Sequence, residues 1–364
     1  MTPRTLSLVL GMAAATTTST ATARLQADPL APLAPGVVPP PPAPRPMAVR
    51  PTATAPAGLR DRISALVRGF DGKSGISVVS MRDGWQADHN GGVLFPQQSC
   101  SKLWVAIAAL DAVDRGKIEL DDRVTLGRSD LTLFHQPIRA KILGGGHTTT
   151  LSALLHTAIT DSDNTANDKL MRSIGGPETV RDMIDRKNLG AIRFYDGERA
   201  LQSKVAGLIW SQSYSVGDGF YKARSALPTS VRRASFERYI DDPYDGASPN
   251  AVARALARLK RGELLSPAST RRLLSIMSST KTGKMRVRAG LARGWRWAHK
   301  TGTGQNFQGR VGGINDIGIL TAPDGTDYAM SIMTVPNQSN GDAQDLMQSV
   351  ARAVIAAHVA RYGS

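Results

Sequence analysis

The chain has 364 residues, room for one large domain or two modest ones, and its 41% hydrophobic and 21% charged residues exclude wholesale disorder. Its 45 basic residues outweigh 30 acidic ones, giving a formal charge of +15, but the excess is dispersed, so nucleic acid is not an expected partner. A single cysteine, Cys100, excludes an intrachain disulfide or a cysteine-based zinc site, and the six histidines lack metal-binding spacing, so neither metal nor cofactor is expected.

The first residues have the order of an export signal. Arg4 is the positive element, Leu6 to Ala15 the apolar core, and Ala21-Thr22-Ala23 a cleavage site ending at residue 23. That core is too short to cross a bilayer, and no apolar run reaches roughly 18 residues, so no transmembrane anchor is expected. The expected location is the periplasm or outside the cell. Residues 24–58 form a Pro/Ala tract holding eleven of the 21 prolines, including Pro39 to Pro42, and read as an extended tether.

From Leu59 the pattern changes. Leu59, Ile63, Leu66 and Val67 mark one stripe of a helix ending near Phe70. Ile76 to Met81 reads as a strand, followed by an Asp83-Gly84 turn and a hairpin partner. A long helical region starts near Ser99 and includes Leu151 to Ile159, Asn164 to Ile174, Pro249 to Arg261 and Thr270 to Ile276. Strands return at Trp295 to Thr301, Gly313 to Thr321 and Tyr328 to Val335, and a helix over Asp342 to Tyr362 closes the chain. The fold class expected is α+β: an antiparallel sheet built from both ends of the folded region and flanked by helices, with an inserted all-helical domain. Residues 59–95 and 284–364 would form the α/β domain and 96–283 the helical one. No internal repeat is evident, and a monomer is expected.

Ser99-Cys100-Ser101-Lys102 opens a strongly helical run. At i and i+3 a hydroxyl and an amine share one helix face, an arrangement that can activate a serine nucleophile. The motif alone is weak, since Ser278-Ser279-Thr280-Lys281 also matches it. Its company is more informative. Ser162-Asp163-Asn164 lies between two helical segments, and Lys300-Thr301-Gly302 lies on an apolar strand before a Gly-rich turn. S-x-x-K, S-D-N and K-T-G, in that order, resemble the class A β-lactamase and penicillin-binding-protein family over nearly all of residues 59–364. A second K-T-G at Lys281-Thr282-Gly283 follows a helix and reads as its terminating turn, so Lys300 is the preferred copy.

The resemblance implies a site. Ser99 would be the nucleophile, with Lys102 or a later glutamate as acylation base, and Ser162 and Lys300 would carry a proton to the leaving nitrogen. Glu198 stands 36 positions after Ser162, as the family's deacylating glutamate would, with Gln202 where an Asn is usual. Asn164, Gln202, Thr301, Gly302 and Thr303 would bind substrate, and the backbone N–H groups of Ser99 and Thr303 would form an oxyanion hole. Arg193 and Asp196 are candidates for an ion pair stapling the Glu198 loop. Arg310 reads as a surface charge rather than a carboxylate ligand. S-D-N to K-T-G spans 138 positions, longer than the family norm. The excess at 203–246 carries Trp210, Tyr214, Phe220, Tyr221, Phe236, Tyr239 and Tyr244, too aromatic for a flexible linker, so an ordered satellite or a wall of the cleft is expected.

The implied activity is hydrolysis of small-molecule β-lactams through an acyl-enzyme. The alternatives are a cell-wall DD-peptidase or related hydrolase acting on peptidoglycan peptides, and a β-lactam sensor without turnover. Glu198 separates them, because rapid deacylation needs such a base.

Overall fold

The computed structural model describes residues 54–363. The export signal and most of the Pro/Ala tract lie outside the described residues. Helix α1 (Ala57–Arg68) buries Leu59, Ile63 and Val67, which recur every fourth residue along one face. Strands β1 (Gly72–Ser80) and β2 (Gln86–His89) form the expected hairpin, with Ile76 opposite His89 and Val79 opposite Gln86. Gly72 cannot be replaced cheaply. Its φ is +143°, and a Cβ there would lie 2.4 Å from the Val335 carbonyl oxygen across the ladder.

An eight-residue connection (90–97) leads to a 3₁₀ turn (Gln98–Ser101) that runs directly into α2 (Lys102–Asp114). Every residue of α2 from Lys102 to Ala112 is buried, as expected of a helix apolar on all sides and surrounded by others. The region between the sheet's two halves is not wholly helical, as the sequence reading supposed. Strand β3 (Arg123–Leu126), short helix α3 (Arg139–Leu143) and strand β4 (His147–Thr150) follow, with β3 and β4 paired antiparallel. The β-branched Val124, Thr125, Thr148, Thr149 and Thr150 suit a strand, and the Thr125 and Thr148 hydroxyls meet at 2.9 Å. The ladder is four residues long, too short to show a clear period in the sequence.

Helices α4 (Leu151–Thr160) and α5 (Asn164–Ser173) come next, each opened by a side-chain cap: Thr150 accepts from the Ala153 N–H and Asp163 from the Ala166 N–H. Helices α6 (Pro177–Arg186), α7 (Glu198–Val205), α8 (Gly219–Ala226) and α9 (Thr229–Asp241) lead to α10 (Pro249–Lys260) and α11 (Pro267–Ser278). Both of the last two start with a serine cap followed by proline. The chain then returns to the sheet with β5 (Arg296–Thr303), a small ladder of β6 (Asn306–Phe307) and β7 (Arg310–Val311), β8 (Ile314–Thr321) and β9 (Asp327–Pro336). Helix α12 (Asp342–Tyr362) closes the chain over the span read from the sequence.

The five-stranded sheet has the order β2-β1-β9-β8-β5, antiparallel throughout. One apolar core lies between the sheet and α1 and α12, through Ile63, Val78, Trp297, Leu320, Met347 and Val350. The other surrounds α2 and extends to α10. β5 is an edge strand, and the 3₁₀ turn carrying Ser99 packs beside it. The sheet edge and the start of α2 thus form two walls of one cleft. Among the described residues, no helix is long and apolar enough to cross a membrane.

Candidate active site

Ser99 sits in the 3₁₀ turn, half-buried, immediately before α2. The preceding Gln98 has φ +52°, a conformation that costs a non-glycine residue free energy and must be held by its surroundings. Three bonds hold it. Its N–H donates to Asp245 Oδ2 at 2.8 Å, and its side-chain amide donates to the Tyr239 hydroxyl at 2.7 Å and the Gly312 carbonyl at 3.0 Å. Lys102, one turn after Ser99, donates to Ser99 Oγ at 2.7 Å and to Glu198 Oε1. Lys102 and Glu198 are both buried, where each charge requires the other.

Ser162 lies in the turn between α4 and α5 with φ +59°. The next residue, Asp163, caps α5 and also accepts from the Ile138 N–H at 2.7 Å, fixing the turn on two sides. Burial holds the Asp163 carboxyl above its usual range. Lys300 reaches across the cleft from β5 and donates to Ser162 Oγ and to the Thr301 carbonyl, both at 2.8 Å. Its ammonium is fully buried. Burial first, then the charge of Lys102, pushes its pKa down to about 7. Asn164 donates to the Leu133 carbonyl at 2.8 Å, which leaves its own Oδ1 buried without a partner, an acceptor available to a ligand N–H.

Glu198 opens α7. The loop before it is pinned by Asp168 of α5, whose carboxylate accepts from the Glu198 N–H at 2.9 Å and the Arg199 N–H at 3.3 Å. Asp168 is fully buried; burial first and the nearby Glu198 charge second hold its pKa up. Gln202, one turn along α7, donates to Glu198 Oε2 and to Gln98 Oε1, each at 3.3 Å. Its longer side chain thus reaches the glutamate directly. Arg193 and Asp196 do not pair with each other. Asp196 binds Arg181 at 3.1 Å, and Arg193 turns outward to Asp242. The loop's buried tie is Asp168, and Asp245 instead joins α9 to the 3₁₀ turn, accepting from the Tyr239 hydroxyl at 3.0 Å as well as from the Gln98 N–H.

At the other end of the cleft, Thr301, Gly302 and Thr303 continue β5. Arg286 lies alongside, donating to the carbonyls of Gly302 (3.0 Å) and Asn315 (2.6 Å) and to Thr303 Oγ1 (2.6 Å). The Thr282 and Thr301 hydroxyls meet at 2.6 Å. Arg310 pairs with Glu237 and does not line the cleft. Cys100 Sγ is 3.5 Å from the Lys300 carbonyl, and burial pushes its thiol up to about 12.

Ser99, Ser162, Asn164, Gln202, Thr282, Arg286, Thr301 and Thr303 line one cavity of about 520 Å³, within the size range of small-molecule sites. The buried Lys102 and Lys300 reach it through the serines they contact, and Glu198 through Lys102. A larger groove of about 770 Å³ between α1 and α12 holds none of them. Sequence reasoning missed Arg286, Thr282, Asp168, Asp245 and Tyr239. Arg286 stands three residues after the second K-T-G, so that tripeptide is indeed a turn, with Gly283 at φ +71°, but its Thr282 reaches the cleft. Only the proximity of Arg286 to that motif hinted at it. The aromatic segment 203–246 folds into α8, α9 and the turns beside them and supplies part of the cleft wall. Phe236 and Tyr239 join the main core, Phe220 forms a small cluster with Leu133 and Ala206, and Tyr221 and Arg224 stand on the cleft wall.

A serine in contact with a buried lysine–glutamate pair, facing a serine in contact with a second buried lysine, is equipped for acyl transfer at neutral pH. The model of the β-lactamase enzyme family matches residues 58–358. The chain belongs to that family. It is 26% identical over 297 residues to β-lactamase Toho-1 of Escherichia coli, covering 81% of this chain and 88% of the relative. It is likewise 26% identical over 300 residues to a β-lactamase of Bacteroides uniformis, covering 81% and 90%. Among solved structures, a β-lactamase from Chitinophaga pinensis superposes with a TM-score of 0.68 at 27% identity, covering 82% of this chain and 98% of that one. An ancestral class A β-lactamase gives 0.66 at 30% identity, covering 82% and 99%. The family match spans both walls of the cleft and also α8 and α9.

Proposed function

We propose that the chain is a serine β-lactamase that opens the lactam amide of β-lactam antibiotics through an acyl-enzyme on Ser99. The observation that carries this reading is the contact chain Ser99–Lys102–Glu198–Gln202, which sets a buried carboxylate beside the nucleophile. A peptidase or sensor with the same serine has no need of that carboxylate.

The substrate's ring carboxylate meets Lys300 and the hydroxyls of Thr301 and Thr303, with Arg286 adding positive charge behind them. Asn164 Oδ1 accepts the N–H of the acylamino group. The backbone N–H groups of Ser99 and Thr303 receive the lactam oxygen as it gains charge, and Gly302 permits the close approach. Lys102 passes a proton to Glu198, and the resulting amine takes the Ser99 proton as Oγ bonds to the carbonyl carbon. The C–N bond then breaks while Ser162 delivers its proton to the nitrogen. Lys300 restores that proton and is itself reprotonated through solvent as Glu198 gives up its proton and returns to carboxylate.

In the second half-reaction Glu198 removes a proton from water as the water oxygen bonds to the acyl carbon. The ester C–O bond breaks, and Ser99 Oγ takes a proton from Lys102, which recovers one from Glu198 as that residue returns to carboxylate. The product is the ring-opened acid. Gln202 holds the Glu198 carboxylate in place, and Asp168 holds the loop that carries it. The proposal includes export to the periplasm or the cell exterior, on the Arg4 to Ala23 pattern, and action as a monomer with its cleft between the 59–95/284–364 and 96–283 portions.

The test is hydrolysis of a chromogenic cephalosporin by purified protein and by Ser99→Ala. Turnover should be present in the first and absent in the second. Turnover that survives Ser99→Ala, or a stable adduct without turnover in the unaltered protein, would remove the proposal.

A further inference from the structure

The inserted helix α8 brings a positive charge to the cleft that the proposed mechanism does not use. Phe220 is 2% exposed and anchors the helix, packing edge-on against Phe134 (centroids 5.0 Å apart) and Tyr214 (6.2 Å). Arg224 lies four residues on, on the same helix face, with its guanidinium 6.0 Å from the Phe220 ring. It is half-buried, lines the cavity that contains Ser99, and among the described residues makes one hydrogen bond, to Gln305 Oε1 at 3.5 Å. Among the described residues it has no salt bridge. The acid at the start of α8, Asp218, pairs with Lys222 at 3.0 Å, and Glu237 of α9 pairs with Arg310.

The cleft has a direction. Along β5 and beyond it, Thr301 and Thr303 with Arg286 come first, and Gln305 with Arg224 comes last. Gln305 is fixed to the opposite wall by donating to the Gln202 carbonyl at 2.8 Å and its Oε1 at 3.1 Å. A β-lactam whose ring carboxylate lies at the Thr301 end, with its acyl amide at Asn164, extends its acyl arm past Gln202 and Gln305. Resting on that placement, we propose that Arg224 is a specificity-determining residue forming a second anion subsite, and that the enzyme favours β-lactams whose acyl arm carries a carboxylate. An unpaired guanidinium at the rim of a low-dielectric cleft offers a planar, two-pronged donor to such a group.

The probes are one cephalosporin with a carboxylate on its acyl arm and the same compound with that carboxylate converted to the primary amide. Two ratios are measured, acid over amide: kcat/KM in the active protein, and binding affinity by calorimetry in a Ser99→Ala background. Both ratios should be roughly three to ten at low salt, the effect of one partly exposed charged hydrogen bond. They should shrink when ionic strength is raised from about 0.05 M to about 0.5 M. Arg224→Gln should bring both ratios to about one, whereas Arg224→Lys, which keeps the charge, should retain part of the preference. Ratios near one in the unaltered protein, or unchanged in Arg224→Gln, would overturn the subsite. A binding ratio that behaves as stated in a protein that opens neither ring leaves the subsite standing and removes the proposed activity instead. Hydrolysis of both compounds without preference does the reverse.

Discussion

Lys300 supplies the most quantitative consequence of the site's burial. Among the described residues it has no carboxylate partner, its ammonium donates to Ser162 Oγ and the Thr301 carbonyl, and its pKa is pushed down to about 7 by burial. Recognition of a substrate carboxylate and proton delivery through Ser162 both require the cation. The pH dependence of kcat/KM reports groups of the free enzyme, so it should decline as pH rises through about 7, tenfold for each further unit. At about pH 9, two units beyond, the loss is roughly 100-fold. Initial rates with a chromogenic cephalosporin held far below KM, from about pH 5.5 to 9.5, give the profile. Lys300→Arg places a guanidinium there that stays charged over this range. Its absolute rate should be lower, because the fork does not fit the ammonium's position, but the alkaline limb should vanish. A flat profile in the unaltered protein, or an identical limb in Lys300→Arg, would refute the reasoning. Stability provides an independent reading of the same group. The folded-state pKa is lowered from 10.5, so the unfolded chain binds more protons between about 7 and 10.5. The Lys300 contribution to unfolding free energy should therefore rise with pH across that window.

Asp245 acts in the opposite sense. Burial raises its pKa from 3.8 to about 7, so the folded state binds more protons between those values and stability should fall as pH rises from about 4 to 7. The full contribution is at most about 4 kcal/mol; urea unfolding of Asp245→Asn should lack this slope, and parallel curves for the two proteins would contradict the account. Cys100 should be a bystander. With its thiol buried and pushed to about 12, native protein should resist thiol reagents at neutral pH, and Cys100→Ala should keep most of the activity. Rapid native labelling, or a folded but inactive Cys100→Ala, would argue otherwise.

The parts of the fold and site that were legible in the sequence are those written in contiguous residues. Ser99 and Lys102, and the Ser162 to Asn164 turn, each need only local geometry to come together. The closing helix was bounded by Gly341 and Gly363, both with positive φ. The choice of Lys300 over Lys281 followed from strand against turn. What stayed hidden depends on partners far apart in the chain. Nothing in the sequence marks Asp245; its role appears only where α9 places Tyr239 and the 3₁₀ turn places the Gln98 N–H against its carboxylate. Arg286 looked like one of several cations in a basic stretch, since nothing local says that it lies beside β5. Arg193 and Asp196 stand three residues apart in sequence, but their side chains point apart on one loop, and each pairs with a residue elsewhere. The pairing of β3 and β4 was missed because a four-residue ladder carries little periodicity. The roles of the cleft residues rest on the proposal above, whereas their positions are read from the structure.

The central claim is that Glu198 completes turnover by activating water against an acyl group on Ser99. The most direct test is the intact mass of the protein during exposure to a penicillin, compared between the unaltered protein and Glu198→Gln. The unaltered protein should return to its free mass quickly. Glu198→Gln should still form the adduct, located at Ser99 by peptide mapping, and hold it, since losing a general base slows such a step by about 10²–10⁴-fold. An unaltered protein that itself accumulates the adduct, or a Glu198→Gln protein that clears it at the same rate, would contradict the account.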